Sequence, residues 1–229
     1  MNKLNLYRQT NKCLGSLINI SILLVSALFI VFDANAQESS KSISLFDGTS
    51  LQGWETVKPE NEKYWTVKNG IITGGDGQTN IPVNTYLHTT KEYQDFEFRC
   101  LFRITGEPET GLINSGIQYR SFIHEGNIVG YQADIGNGYW GDIYDEHRRG
   151  KLIDGDLKTL NYLLDEDGWN SYIVRVIGDH HELYINGVKV AEYIEDDSEV
   201  PTKGIIGFQL HSGGNAKVEF RDILIENLK

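Results

Sequence analysis

The sequence predicts an all-β protein, a two-sheet antiparallel sandwich, on three observations. Apolar and polar residues alternate with period two over many short segments. Gly, Asn and Asp separate those segments at close intervals, as turns require. Convincing amphipathic helices are missing.

Taken in order, Trp65-Thr66-Val67 runs into Lys68-Asn69-Gly70 and then Ile71-Ile72-Thr73, a hairpin signal. From Phe96 to Ile104, Phe96, Phe98, Cys100 and Phe102 share one face, and Glu97, Arg99 and Arg103 share the other. Leu112 to Arg120 and Val129 to Gly136 read as two further strands. Asn170 to Gly178 and His181 to Ile185 follow, and Asn186-Gly187 is the strongest short hairpin signal before Val188 to Tyr193. Gly204 to His211 and Ala216 to Asn227 close the chain. The one plausible helix lies between Asp156 and Leu164.

The first 36 residues read as a leader. Lys3, Arg8 and Lys12 precede an uncharged run from Ile20 to Phe32, and Ala34-Asn35-Ala36 supplies a small-x-small site. That run is short for a membrane span. Cleavage after Ala36 is expected, leaving residues 37–229 as a single periplasmic or secreted domain with no membrane attachment. Removing the leader's three basic groups and Asp33 leaves 18 Lys and Arg against 31 Asp and Glu. Such an acidic domain is a poor partner for nucleic acid, whose binding rests on neutralised phosphates. Cys100 is then alone, so no internal disulfide holds the fold.

The strands around residues 112–136 carry the site expectation. Asn114, Gly116, Gln118 and Arg120 share one face of the first, and Gly130, Gln132 and Asp134 one face of the second. Amides, an arginine and a carboxylate exceed what solubility asks of a sheet face, and the set reads as a polar binding floor. Gln209 and His211 share a polar face of the late strand. The segment from Tyr139 to Arg149 reads as a mixed-charge loop roofing the floor. Its Tyr139, Trp140 and Tyr144 offer large aromatic faces for a ligand, alongside Asp142, Glu146, Arg148 and Arg149. His180-His181 points to opposite sides of a strand, a poor metal pair, and reads as surface. Ser115 lies on the apolar face and lacks a nucleophile elbow, so no serine triad is expected.

The motifs ISLFDGTSLQGWE, WTVKNGIITG, KEYQDFEFRCLFRI, NSGIQYR, GYQADIG, GWNSYIVRVIGDHHELYINGV, GIIGFQLH and VEFRDILIENL occur in that order from Ile43 to Leu228. This succession resembles the 3-keto-disaccharide hydrolase domain of exported bacterial proteins. The resemblance implies a concanavalin-A-like jelly roll with a concave polar face. It also implies an enzyme for glycosides whose sugar is already oxidised at C3, acting on a small carbohydrate. Many relatives read GYEVQ where this chain has Gly130-Tyr131-Gln132-Ala133-Asp134. The carboxylate has moved from the place of Gln132 to that of Asp134, and a two-residue shift keeps it on the same face.

A C3 ketone acidifies the C2 hydrogen, so proton removal lets the C1 oxygen leave by β-elimination. Water can then add back, giving net hydrolysis. This chemistry asks for a base at C2, a polar group at the C3 oxygen and an acid for the leaving group. Asp134 and His211 are the candidate bases, Arg120 the enolate partner, and Glu146 or Asp142 the acid. Asn114, Gln118, Gln132, Gln209, Tyr139, Trp140, Tyr144, Arg148 and Arg149 are expected to bind substrate. Two rivals remain open: a non-catalytic carbohydrate-binding jelly roll, and an ordinary glycoside hydrolase with two flanking carboxylates. The one-strand E-x-D-x-E pattern of laminarinase-like enzymes is absent. No cofactor is expected beyond a structural calcium of the kind this fold often holds, to which Asp47, Asp76 or Asp222 could contribute. No loop has recognisable ligand spacing. The oligomeric state is open.

Overall fold

A computed structural model describes residues 41–136 and 138–228. The expected leader and its cleavage site lie outside the described residues. The chain forms β1 (Ile43–Ser44), β2 (Trp54–Thr56), β3 (Trp65–Lys68), β4 (Ile71–Gly74), β5 (Thr85–Tyr93) and β6 (Phe96–Glu107). Then come β7 (Asn114–His124), β8 (Asn127–Gly136), β9 (Ile143–Glu146) and β10 (Gly150–Ile153). One helix, α1 (Leu157–Leu163), precedes β11 (Asn170–Ile177), β12 (His180–Ile185), β13 (Val188–Ile194), β14 (Gly204–Leu210) and β15 (Asn215–Asn227).

These strands make two antiparallel sheets, a jelly-roll sandwich. One has the order β13-β12-β11-β6-β15-β4-β3, with β1 also pairing β15, and the other β10-β9-β8-β7-β14-β5-β2. Local chemistry explains the turns. Asn69 and Gly70 at φ 54° and 76°, and Asn186 and Gly187 at φ 50° and 81°, take the left-handed conformations that tight hairpins demand. At α1, the Asp156 side chain accepts from Thr159 N at 3.1 Å and caps the helix. Among the described residues no helix is long and apolar enough to cross a membrane.

The first sheet follows simple alternation, with Phe96, Phe98, Cys100, Phe102 and Ile104 buried along β6 and the residues between them more exposed. The second sheet differs, because its central strands are buried on both faces: all seven residues of β14 and nine of the ten in β8. Its inner face supplies Ile117, Tyr119, Tyr131, Ala133, Ile135, Phe208 and Leu210 to the core. Phe208 is the hinge of that core, stacked on Phe220 at 3.8 Å and on Trp54 at 5.1 Å between ring centres. Phe208→Ala is expected to destabilise the domain by about 3–5 kcal/mol, read as a shifted midpoint in denaturant unfolding with an unchanged slope.

Candidate active site

Alternation that sends Phe208 and Ala133 inward sends their neighbours to the opposite face of the second sheet. There β7 contributes Asn114 and Gln118, β8 Gln132 and Asp134, and β14 Gln209. Register brings them together: Gly116 pairs with Asp134 and with Gln209, and Gln118 with Gln132. Gly116 has a steric reason. A Cβ there would lie 2.5 Å from the Gln132 side chain, so only glycine leaves room for the amide. Strand β9 extends the same floor, placing Tyr144 opposite Gln132 and Glu146 opposite Gly130.

A cavity of about 170 Å³ opens on this floor, lined by Leu112, Asn114, Gln132, Asp134, Tyr139, Tyr144, Glu146, Gln209 and His211. Its polar groups form one connected chain. Gln118 Nε2 donates to Gln132 Oε1, and Gln132 Nε2 donates to Asp134 Oδ1 and, at 3.4 Å, to Gln209 Oε1. Gln209 Nε2 donates to the Tyr86 hydroxyl at 3.3 Å, and that hydroxyl donates to Glu146 Oε1 at 2.9 Å. Burial and the Glu146 charge push the Tyr86 phenol pKa up, which keeps it a donor.

Two groups stand ready for proton chemistry. Burial holds the Asp134 carboxyl pKa well above the usual carboxylate range, and the charges of Asp142 and Glu146 add to the effect against the Gln132 hydrogen bond. His211 Nδ1 lies 2.7 Å from the Ser212 carbonyl oxygen. A carbonyl only accepts, so Nδ1 carries the hydrogen and the neutral ring keeps its lone pair on Nε2. The floor thus joins a carboxyl biased toward its neutral form to an imidazole tethered through Nδ1.

Comparison with known proteins decides the family. The model of the 3-keto-alpha-glucoside-1,2-lyase-like domain matches residues 41–226. The chain belongs to that family. A candidate glycosyl hydrolase from Parabacteroides distasonis ATCC 8503 is 21% identical with a TM-score of 0.60, over 85% of this chain and 97% of that one. The carbohydrate-binding module CBM66 from Bacillus subtilis is 14% identical with a TM-score of 0.56, over 79% and 98%. A Bacillus subtilis protein of unknown function with a galectin-like fold is 13% identical with a TM-score of 0.56, over 82% and 94%. At these identities the structures establish the jelly-roll fold. No curated protein matches the chain in sequence.

Several residues expected in the cleft of this lyase-like domain lie elsewhere. Arg120 departs because β7 bulges between Tyr119 and Phe122, with Arg120 itself at φ 45°. Its guanidinium donates to Gln94 O at 2.9 Å, Gly178 O at 2.6 Å and Asp95 Oδ1 at 2.9 Å, tying turns together rather than facing the cavity. Gln118 is buried beneath Gln132 and supports it. Trp140 turns into the core against Phe102. Asp142 is buried, accepting from Gly155 N at 2.8 Å and pairing with Lys151 at 2.7 Å. Arg148 and Arg149 follow Asp145, which alternation points away from Tyr144 and Glu146; they clamp it and lie over the Tyr131 ring.

The expected roof is therefore mostly floor, since β9 continues the sheet and only Tyr139 reaches the cavity from a turn. His181 is fully buried beside the Tyr119, Tyr131 and Tyr193 rings, not on the surface. The three carboxylates named for calcium are occupied or apart among the described residues. Asp47 and Asp76 spend their oxygens on Thr49, Ser50, Gln78 and Thr79 within their own turns, and Asp222 sits exposed beside Arg221. Tyr86, on β5, was missed by sequence reading. The alternation of Tyr86, His88 and Thr90 about Leu87 is the signal that marks its strand.

Asp134 has a measurable signature. Its native pKa lies above its unfolded value, so the native state binds the extra proton and stability falls as pH rises above about 4 through the window between the two values. Asp134→Asn removes that penalty. The variant is expected to melt higher than wild type at pH 7, with the gain shrinking toward zero as pH falls to about 4; equal melting at both pH values would refute it.

Proposed function

We propose that the domain cleaves 3-keto-glycosides by 1,2-elimination in this cavity. The observation that carries the reading is the pairing, on one small polar floor, of a buried carboxyl biased toward neutrality with an imidazole whose Nε2 is free. His211 Nε2 removes the C2 proton. The electron pair delocalises onto the C3 oxygen, which neutral Asp134 receives with a hydrogen bond, the task first given to Arg120. A carboxyl kept neutral by burial donates without carrying a charge of its own into the site. When the C3 carbonyl re-forms, the C1–O bond breaks. Glu146, the second carboxyl of the cavity, acts in its protonated form: it hands its proton to the departing oxygen, and the proton His211 took from C2 passes back to it through solvent, closing the cycle. Tyr139 and Tyr144 offer ring surface to the sugar. Water addition to the unsaturated product would make the net reaction a hydrolysis.

The basic start and apolar run of residues 1–36 support an exported, periplasmic or secreted, site of action. N-terminal sequencing of the exported protein is expected to begin at Gln37; an intact Met1 in a membrane fraction would contradict it.

Kinetics separate the proposed roles. His211→Ala and Asp134→Ala should each lower turnover of a 3-keto-glucoside by a factor on the order of a hundred or more. Asp134→Asn should keep more activity than Asp134→Ala, because an amide still donates to the C3 oxygen. If Asp134 were instead the base, the two variants would be equally inactive. In heavy water, deuterium is expected at C2 of recovered substrate or hydrated product. Cleavage of the unoxidised glycoside at full rate would favour an ordinary hydrolase, and binding without cleavage of either would favour a binding module.

A further inference from the structure

A second, larger cavity of about 370 Å³ lies against the candidate active site. The two share a wall. Tyr86 lines the second cavity while its hydroxyl donates to Glu146 of the first at 2.9 Å. His147 of the second follows Glu146 in the chain, and Ser212 follows His211. Ser212 N in turn donates to Asn84 Oδ1 at 2.8 Å. A glycoside whose reacting ring rests on Asp134 and His211 therefore carries its departing group across this wall, past the Glu146 carboxyl assigned to protonate it.

The lining defines what that group would be. Asn61 is 6% exposed and makes no side-chain hydrogen bond among the described residues, so its amide faces the cavity unmet by protein. Buried amides of this kind take their partner from a ligand or from water. His147 is held at φ 55°, and its Nδ1 lies 2.9 Å from the Ile128 carbonyl, which leaves Nε2 for a ligand. The Lys58 stem crosses Gly126, where a Cβ would meet Lys58 Cε at 3.5 Å. Its ammonium has no ion pair among the described residues. No carboxylate lines this cavity, although the chain carries a net charge of −11. An exposed lysine without an ion pair, lining the same cavity as an unmet amide in so acidic a protein, is suited to an anion.

We infer that this cavity is the leaving-group subsite and that it selects a departing sugar bearing an acidic substituent, a uronate, over a neutral one. Lys58 pairs with the carboxylate, and Asn61 and His147 hydrogen-bond its neighbouring oxygens. The inference rests on the elimination reading above. Its test compares two 3-keto-glucosides that share the reacting ring, one releasing glucuronate and the other glucose. Wild type is expected to favour the glucuronate substrate by about tenfold or more in kcat/KM, mainly through KM, as one charge-assisted contact implies. Lys58→Met should erase most of that ratio and Lys58→Arg restore part of it. Equal kcat/KM for the two substrates in wild type, or a ratio untouched in Lys58→Met, overturns the subsite while leaving the elimination reading standing. If neither substrate is cleaved, the elimination reading falls. Calorimetry with the unoxidised pair then decides the subsite alone: tighter binding of the glucuronate form, lost in Lys58→Met, upholds it, and equal affinities sink it.

Discussion

Gln132 sits at the centre of a polar face that the fold has buried. It accepts from Gln118 and donates to Asp134 and Gln209, and through Gln209 the chain reaches Tyr86 and Glu146. A buried polar group without a partner costs about 1–3 kcal/mol, so none of these side chains can turn away unless its neighbours turn too. That constraint dictates much else. It requires glycine at 116, it keeps β9 paired to β8 so that Glu146 meets Tyr86, and it surrounds Asp134 with groups that hold it without an opposing positive charge in direct contact. The positive charge that does act on Asp134, Lys151, is bound to Asp142 and Asp154 and offsets burial only in part. The raised pKa of Asp134 is thus a consequence of how the rest of the face is satisfied.

Much of this was legible in the sequence, because period-two alternation is a local property. It sufficed, with the Asn-Gly turn signals, for the hairpins at Asn69-Gly70 and Asn186-Gly187 and for the shared face of Gln118, Gln132 and Asp134. Alternation also foresaw Gln209 and His211 on one side of the late strand, although only the family resemblance implied that β14 would lie beside β7. The failures have one physical source. A bulge adds a residue to one strand and breaks the parity on which every facing argument depends, and nothing in Gln118-Tyr119-Arg120-Ser121 announces it. Arg120 consequently left the site for the sandwich rim.

The segment after Asp134 misled for a different reason. Its charges read as a solvated loop, since mixed-charge runs usually are. In the fold they are consumed pairwise: Asp142 by Lys151 and a backbone amide, Asp145 by Arg148 and Arg149, and Arg149 also by Glu195. What remains facing the cavity is Tyr144, and Glu146 with the hydrogen bond it takes from Tyr86. The distinction between a spent and an available charge is made by tertiary partners, which composition does not carry.

In the proposed elimination, the hydrogen bond from His211 to its neighbour's carbonyl has a consequence for speed. The Ser212 oxygen accepts from Nδ1 whether the ring is neutral or cationic, so the imidazole need neither flip nor swing when Nε2 gains a proton. A base that keeps its orientation through the protonation cycle adds no reorganisation energy to the barrier. The same tether confines the ring to one bearing, so under the proposed reading which of a sugar's hydrogens is taken follows from how the substrate settles on the floor rather than from any motion of the histidine.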